Sequence, residues 1–316
     1  MSSETLLSNL SQSPSRYGLI KVHGEDAESF LQNQLTNEVS NVTENTHQLT
    51  AWCSPKGRII ATFRLFKRDN AYFLSLSEDL LEHVIKKLSM YVMMSKVTLE
   101  DVTESFVHLG VSGESAEQEL KELLTKELLI KELPSEVDGA KTINGLTVLK
   151  LAGTIPRYEF FSEAGSAKIL SDSIKQAPDS YWEYLNIVAG IPSISQASSE
   201  AWIPQMVNFI QVNGVDFKKG CYPGQEIVAR LNYLGKTKRR MYRLLIDSDQ
   251  LPAINDVIAS GNEKDAGKIL NAVINSEGKA EALAVMKIAE TNETLRIAND
   301  DAPITLLELP YTVNDS

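Results

Sequence analysis

The sequence predicts an α+β protein that ends in a small β-barrel or sandwich. Up to about residue 240, segments with helically spaced apolar residues are interspersed with segments that alternate like strands. From Met241 onward only short alternating segments remain, parted by turn residues. The chain has 316 residues, 43% of them apolar, which is enough for two or three domains with cores of their own.

Taken in order, the polar first dozen residues carry no periodic pattern and are expected to be mobile. "YGLIKVHG" (17–24) alternates and ends in Gly, and "EDAESFLQNQLTNEV" then places Ala27, Phe30, Leu31 and Leu35 at helical spacing, with acids in the first turn. Residues 47–77 read as three antiparallel strands, joined by Ser54-Pro55-Lys56-Gly57 and by Lys67 to Asn70. "EDLLEHVIKKLSMYVMM" puts Leu81, Val84, Ile85, Leu88, Tyr91 and Val92 on one helix face, and a strand-like "SKVTLEDV" follows. A strand over 106–111, a helix over 116–129 and strands near 147–151 and 157–161 come next. "AKILSDSIKQA" and "SYWEYLNIVAGIP" read as helices, the second ended by Gly190 and Pro192. The closing strands "MYRLLI", "DVIA", "AGKILNAVI", "AEALAVMKI", "TLRIA" and "PITLLEL" put a domain boundary near residue 240.

Several function classes find no support. No stretch approaches the ~18 apolar residues of a membrane span, and the N-terminus lacks a basic start with an apolar core, so a cytoplasmic setting is expected. Cys53 and Cys221 lie 168 positions apart, with no C-x-x-C and no nearby His, so neither a disulfide framework nor a zinc site is suggested. The four histidines, His23, His47, His83 and His108, are isolated, and His83 falls on a polar helix face. "GNEKDAGKI" has the wrong spacing for a phosphate loop and reads as a turn between strands.

One segment departs from the chain's net charge of -11. Between Lys218 and Arg243 stand eight basic residues, Lys218, Lys219, Arg230, Lys236, Lys238, Arg239, Arg240 and Arg243, against the single acid Glu226. Such contrast points to an anion site, although a charge run is more often a solvated face. Within it, "DFKKGCYPGQEIVAR" (216–230) passes from strand to helix: Pro223 suits a first helical position, Gly224 relaxes the backbone and Gly235 stops the helix. Ile227, Leu231 and Leu234 are the expected buried stripe. Cys221 stands just ahead of the helix N-terminus, with Lys218 and Lys219 beside it, surroundings that favour a reactive thiolate. The alternative is a small apolar residue filling a tight turn.

"KKGCYPGQEIVAR" resembles the K-G-C-Y-x-G-Q-E signature of the YgfZ family, folate-binding relatives of the glycine-cleavage aminomethyltransferase (T-protein). "VHGEDAESFLQNQLTNEV", "CSPKGRIIATFRLF", "YVMMSKV", "YWEYLNIVAGIP" and "LELPYTV" extend the similarity along the whole chain. The resemblance implies a three-domain ring of two interleaved α+β domains and a C-terminal β-barrel: 1–45 with 106–205, 46–105 with 206–238, and 239–316. It also implies a tetrahydrofolate site, with Tyr17 and Trp182 at the positions of its lining aromatics. Aromatic faces stack on a flat pterin, and Trp adds an N–H donor. Two positions depart from the family pattern: Tyr17 stands where Trp is expected, and Val188 where a pterin-binding Glu is usual. Lys218, Lys219 and Arg230 are the expected partners of a glutamate or polyglutamate tail.

Three functions follow. The first is a monomeric, tetrahydrofolate-binding accessory protein that supports iron-sulfur enzymes, including radical enzymes that methylthiolate tRNA, with Cys221 as its working thiol. The second is a folate-dependent one-carbon transferase, for which the T-protein's acidic motif is not found in this chain. The third is direct RNA binding through 218–243, where the aromatics are few: Tyr222, Tyr233 and Tyr242.

Overall fold

The computed structural model of the chain describes residues 7–14, 17–178, 180–261 and 263–313. Segments of the chain alternate between two compact units. The first is made of Met1–Leu31, Val39–Gln48 and Phe63–Trp182, the second of Gln32–Glu38, Leu49–Thr62 and Glu183–Ser316.

Among the described residues, eleven strands precede residue 180: β1 (Leu7–Pro14), β2 (Tyr17–His23), β3 (His47–Cys53), β4 (Ile59–Arg68), β5 (Ala71–Ser77), β6 (Thr98–Asp101), β7 (Val107–Ser112), β8 (Ala140–Ile143), β9 (Leu146–Leu151), β10 (Arg157–Ser162) and β11 (Ile174–Gln176). Five helices are interspersed with them: α1 (Ala27–Gln32), α2 (Leu81–Val92), α3 (Ala116–Leu128), α4 (Ala164–Ser173) and α5 (Tyr181–Val188). One sheet has the order β3-β4-β5-β2-β6, and β3 and β4 run from one unit into the other. The β4–β5 turn is the Asp69-Asn70 pair, both residues at positive φ, a two-residue hairpin geometry that suits these side chains.

The second sheet, β11-β1-β7-β10-β9-β8, positions the chemistry of the first unit. Its period-two alternation divides the side chains sharply. Leu109, Val111, Val148, Tyr158 and Phe160 pack on one face with Leu120 and Leu124 of α3 and Leu170 of α4. The other face takes the intervening residues, and the register sets His108 opposite Phe161, Gly110 opposite Glu159 and Ser112 opposite Arg157.

Two expectations change here. Residues 7–14 form a strand between β11 and β7, so the polar first dozen residues are part of a sheet from Leu7 on; residues 1–6 lie outside the described residues. Backbone pairing on both sides holds a strand that has no hydrophobic alternation to announce it. The helix expected over 167–177 stops at Ser173, and Ile174–Gln176 turn into β11 to pair with β1.

In the second unit, α6 (Gln225–Leu234) is followed by six strands, β12 (Arg239–Ile246), β13 (Val257–Ser260), β14 (Gly267–Ile274), β15 (Ala280–Lys287), β16 (Leu295–Ile297) and β17 (Pro303–Leu307). They close as a barrel in the order β12-β15-β14-β13-β16-β17. Its interior mixes large and small residues, Leu244, Ile258 and Ile269 with Ala282 and Ala284, as a narrow barrel requires. The barrel begins where the sequence pattern changes. Beyond it the Tyr311 hydroxyl donates to the Gly190 carbonyl at 2.7 Å, and at φ +64 a side chain on Gly190 would strike Tyr311, so "AGIP" and "LPY" are matched parts.

Candidate functional site

Two places gather residues with chemistry. On the face of the six-stranded sheet away from α3, the indole of Trp182 lies on Gly110, where a β-carbon would come within 2.4 Å of Cδ2. Glycine is needed there for close approach rather than for backbone freedom. The Arg157 guanidinium stands 5.7 Å from the same indole, a cation–π distance. Two residues along β7, the His108 ring stacks on Phe161 at 4.1 Å and stands 6.0 Å from the ring of Tyr17. Tyr17 and Trp182, far apart in sequence, therefore flank one stretch of β7.

A buried charge pair lies in the same stretch. Glu159 is 5% exposed, and the Arg64 Nε is 3.0 Å from its Oε2. His108 Nε2 lies 3.8 Å from Oε1. Burial works against ionisation of Glu159, but Arg64 above all, helped by His108 and His47, outweighs it and holds the carboxyl at about 2. His47 is buried too; its Nε2 is 3.0 Å from the Lys150 carbonyl, so Nε2 carries the proton, and burial followed by Arg64 pushes its pKa down to about 3. The histidines are thus not all isolated, since His108 and His47 belong to this buried group.

The second place is the loop before α6, in the other unit. Gly224 has φ +80, and a β-carbon there would come within 2.4 Å of the Ser54 carbonyl oxygen and 2.6 Å of Gly57 Cα. Gly57, itself at φ +70, faces Ile227 in turn. The "SPKG" hairpin and the "CYPGQE" loop therefore lock glycine to glycine, a fit that any side chain on Gly224 would break. Pro223 precedes the helix rather than opening it, because Gly224 is the cap and Gln225 the first helical residue. The loop leaves Cys221 exposed, whereas Cys53 is buried and pushed up to about 12 by desolvation. Of the two thiols, Cys221 is the one available for reaction.

The basic run divides by role. Lys219 is buried, and its ammonium donates to the carbonyls of Gln32, at 2.6 Å, and Leu35, at the C-terminal end of α1. Burial pulls its pKa down to about 8. Its ammonium, expected at a folate tail and beside the thiol, is engaged with backbone oxygens instead. Arg243 is paired with Glu281 at 2.8 Å, and Arg240 is buried. Lys218 and Arg230 are exposed, as are Lys236 and Lys238. The expected buried stripe of α6 is also displaced: Val228 is its buried residue, while Ile227 and Leu234 are exposed. The helix is held through the Val228 carbonyl, which accepts from Gln205 Nε2 at 2.7 Å, and this sets its contact face one position off the apolar spacing.

With this geometry in hand, comparison with known proteins is informative. The chain is 31% identical over 316 residues to the tRNA-modifying protein YgfZ of Colwellia psychrerythraea (strain 34H / ATCC BAA-681), covering 98% of this chain and 94% of that one. It is a member of the YgfZ family. The YgfZ protein of Escherichia coli (strain SE11) is likewise 31% identical, over 307 residues, covering 95% of this chain and 92% of the relative. Residues 14–151 match the GCVT N-terminal domain family. The fold is that of the glycine cleavage system aminomethyltransferase T from Bartonella henselae, with a TM-score of 0.76 over 96% of this chain and 86% of that one, at 14% identity.

YgfZ membership directs attention to residues that the sequence reading passed over. Glu159, Arg64, His108 and Gly110 were not singled out, yet they surround the two aromatics that were. The signal available was "RYEFF" (157–161), in which charged residues alternate with aromatics in a strand buried along its length. Among the described residues, no group of His, Cys, Asp and Glu could hold a metal ion, and no helix is long and apolar enough to cross a membrane.

Proposed function

We propose that this YgfZ-family protein is a tetrahydrofolate-binding accessory factor in tRNA modification, with Cys221 as its working thiol. The observation that carries the proposal is the construction of the Cys221 loop. A glycine-to-glycine lock, intolerant of side chains, presents the exposed cysteine in a chain that relatives named as tRNA-modifying proteins match over nearly their full length. A loop held this firmly serves the residue at its tip.

The residues of the first unit fit a folate. A pterin needs ring faces above and below, an acceptor for its amino and ring N–H groups and a donor for its carbonyl. Tyr17, His108 and Trp182 offer faces, Glu159 offers an acceptor, and the buried Trp182 Nε1 is a donor with no partner among the described residues. Bound folate would supply a one-carbon carrier. Of the basic residues expected at a folate tail, Lys218 and Arg230 are exposed, and Lys219 is engaged with the Gln32 and Leu35 carbonyls.

The clients we propose are iron-sulfur enzymes, among them those that methylthiolate tRNA. There Cys221 would act through thiol redox chemistry or a transient contact with a cluster or partner. In cells carrying Cys221→Ala, methylthiolated tRNA nucleosides measured by mass spectrometry should fall while the purified variant stays folded. Unchanged nucleoside levels would contradict the role given to this cysteine.

A further inference from the structure

The sheet face around Trp182 holds more unfulfilled polar chemistry than packing requires. Among the described residues, the buried polar atoms on it without a hydrogen-bond partner include Glu159 Oε2, His108 Nε2, Ser112 Oγ and Trp182 Nε1. The contact between Arg64 and Glu159 Oε2, though 3.0 Å long, lies off the line of a hydrogen bond. Folded proteins leave few such atoms, because each one unmet is destabilising. Their spacing is set by the sheet. Glu159 stands directly across from Gly110, on which Trp182 lies, and His108 and Ser112 are the next same-face residues on either side of Gly110. An acceptor, a donor and two adaptable groups therefore surround one aromatic surface.

We infer that Glu159, positioned by Arg64 and flanked by His108, is the residue that recognises the heterocycle, accepting hydrogen bonds from the 2-amino group and neighbouring ring N–H of a pterin. This inference rests on the folate reading above and goes beyond it by naming the recognition group. Arg64 keeps the carboxylate charged at neutral pH, and a charged acceptor discriminates more strongly than a neutral one.

The test compares tetrahydrofolate with its 2-desamino-2-methyl analogue, by calorimetric titration of the full-length protein. Wild type should bind the analogue about tenfold or more weakly, the loss of one charge-assisted hydrogen bond. Glu159→Gln should bind tetrahydrofolate weakly by a similar factor and discriminate little between the two ligands. Saturable binding by wild type that ignores the 2-amino group, or equal discrimination by wild type and Glu159→Gln, would overturn the inference while leaving the folate reading standing. No binding of tetrahydrofolate by wild type would remove both. Should Glu159→Gln fail to fold, the wild-type comparison alone decides, since equal affinity for the two ligands excludes an acceptor for the 2-amino group.

Discussion

The two sites solve opposite problems. Around Trp182 the protein buries polar groups, the Glu159 carboxylate and the Arg64 guanidinium among them, and leaves several polar atoms unmet. Around Cys221 the supports are enclosed, Gly57 and Lys219 buried and Gly224 half-buried, while the Cys221 thiol is exposed. A buried polar face suits a small ligand that can replace water atom for atom, whereas an exposed thiol on a rigid loop suits a partner that arrives and leaves. On the proposed function, ligand recognition belongs to one unit and thiol chemistry to the other.

The sharpest way to break the comparison is to remove a support of the buried face. Arg64→Ala leaves Glu159 charged and buried without its main partner and should cost about 3–5 kcal/mol in denaturant unfolding. A loss under about 1 kcal/mol would mean that the ion pair is not what holds the carboxylate. Next in size is Gly224→Ala, which sets a β-carbon against the Ser54 carbonyl in a left-handed backbone conformation. It should cost about 2–4 kcal/mol, whereas Gly220→Ala, with nothing within 4 Å of the new carbon and no left-handed backbone, should stay within about 0.5 kcal/mol. Equal effects of the two would dissolve the glycine lock.

A smaller effect is expected from His47, which is neutral when folded. Its pKa is lowered from 6.5 to about 3, so its contribution to stability is complete above pH 6.5 and fades as the pH falls toward about 3, where the unfolded chain binds the extra proton. His47→Gln should therefore flatten stability against pH between 6.5 and 3, read from thermal melts of both proteins. Parallel curves would show that folding does not shift the titration of His47. The smallest effect should be Cys221→Ser, within about 0.5 kcal/mol of wild type, because an exposed thiol at a loop tip contributes little to packing.

The two regions also differ in how far the sequence discloses them. The Cys221 loop is a contiguous run whose Pro, Gly and Cys carry local conformational meaning, so its role as a strand-to-helix display could be read directly. What could not be read was the direction of Lys219, whose acceptors on α1 are nearly 190 positions away in sequence. The barrel strands were legible because turn residues punctuate them. The face around Trp182 was only half legible. Its aromatics came from resemblance, but Arg64, His108 and Glu159 come from three separate strands and become neighbours only through register and sheet packing. The run "RYEFF" marks a strand that carries Glu159, but it does not say which residues meet the carboxylate there.

The most direct measurement is a tetrahydrofolate titration run in parallel on wild type, Trp182→Phe and Cys221→Ala. The account predicts saturable binding by wild type, an equal affinity in Cys221→Ala, and a clear loss in Trp182→Phe, which keeps the ring on Gly110 but removes the indole N–H. Equal loss in both variants, or no saturable binding at all, would contradict the division between a ligand-binding face and a displayed thiol.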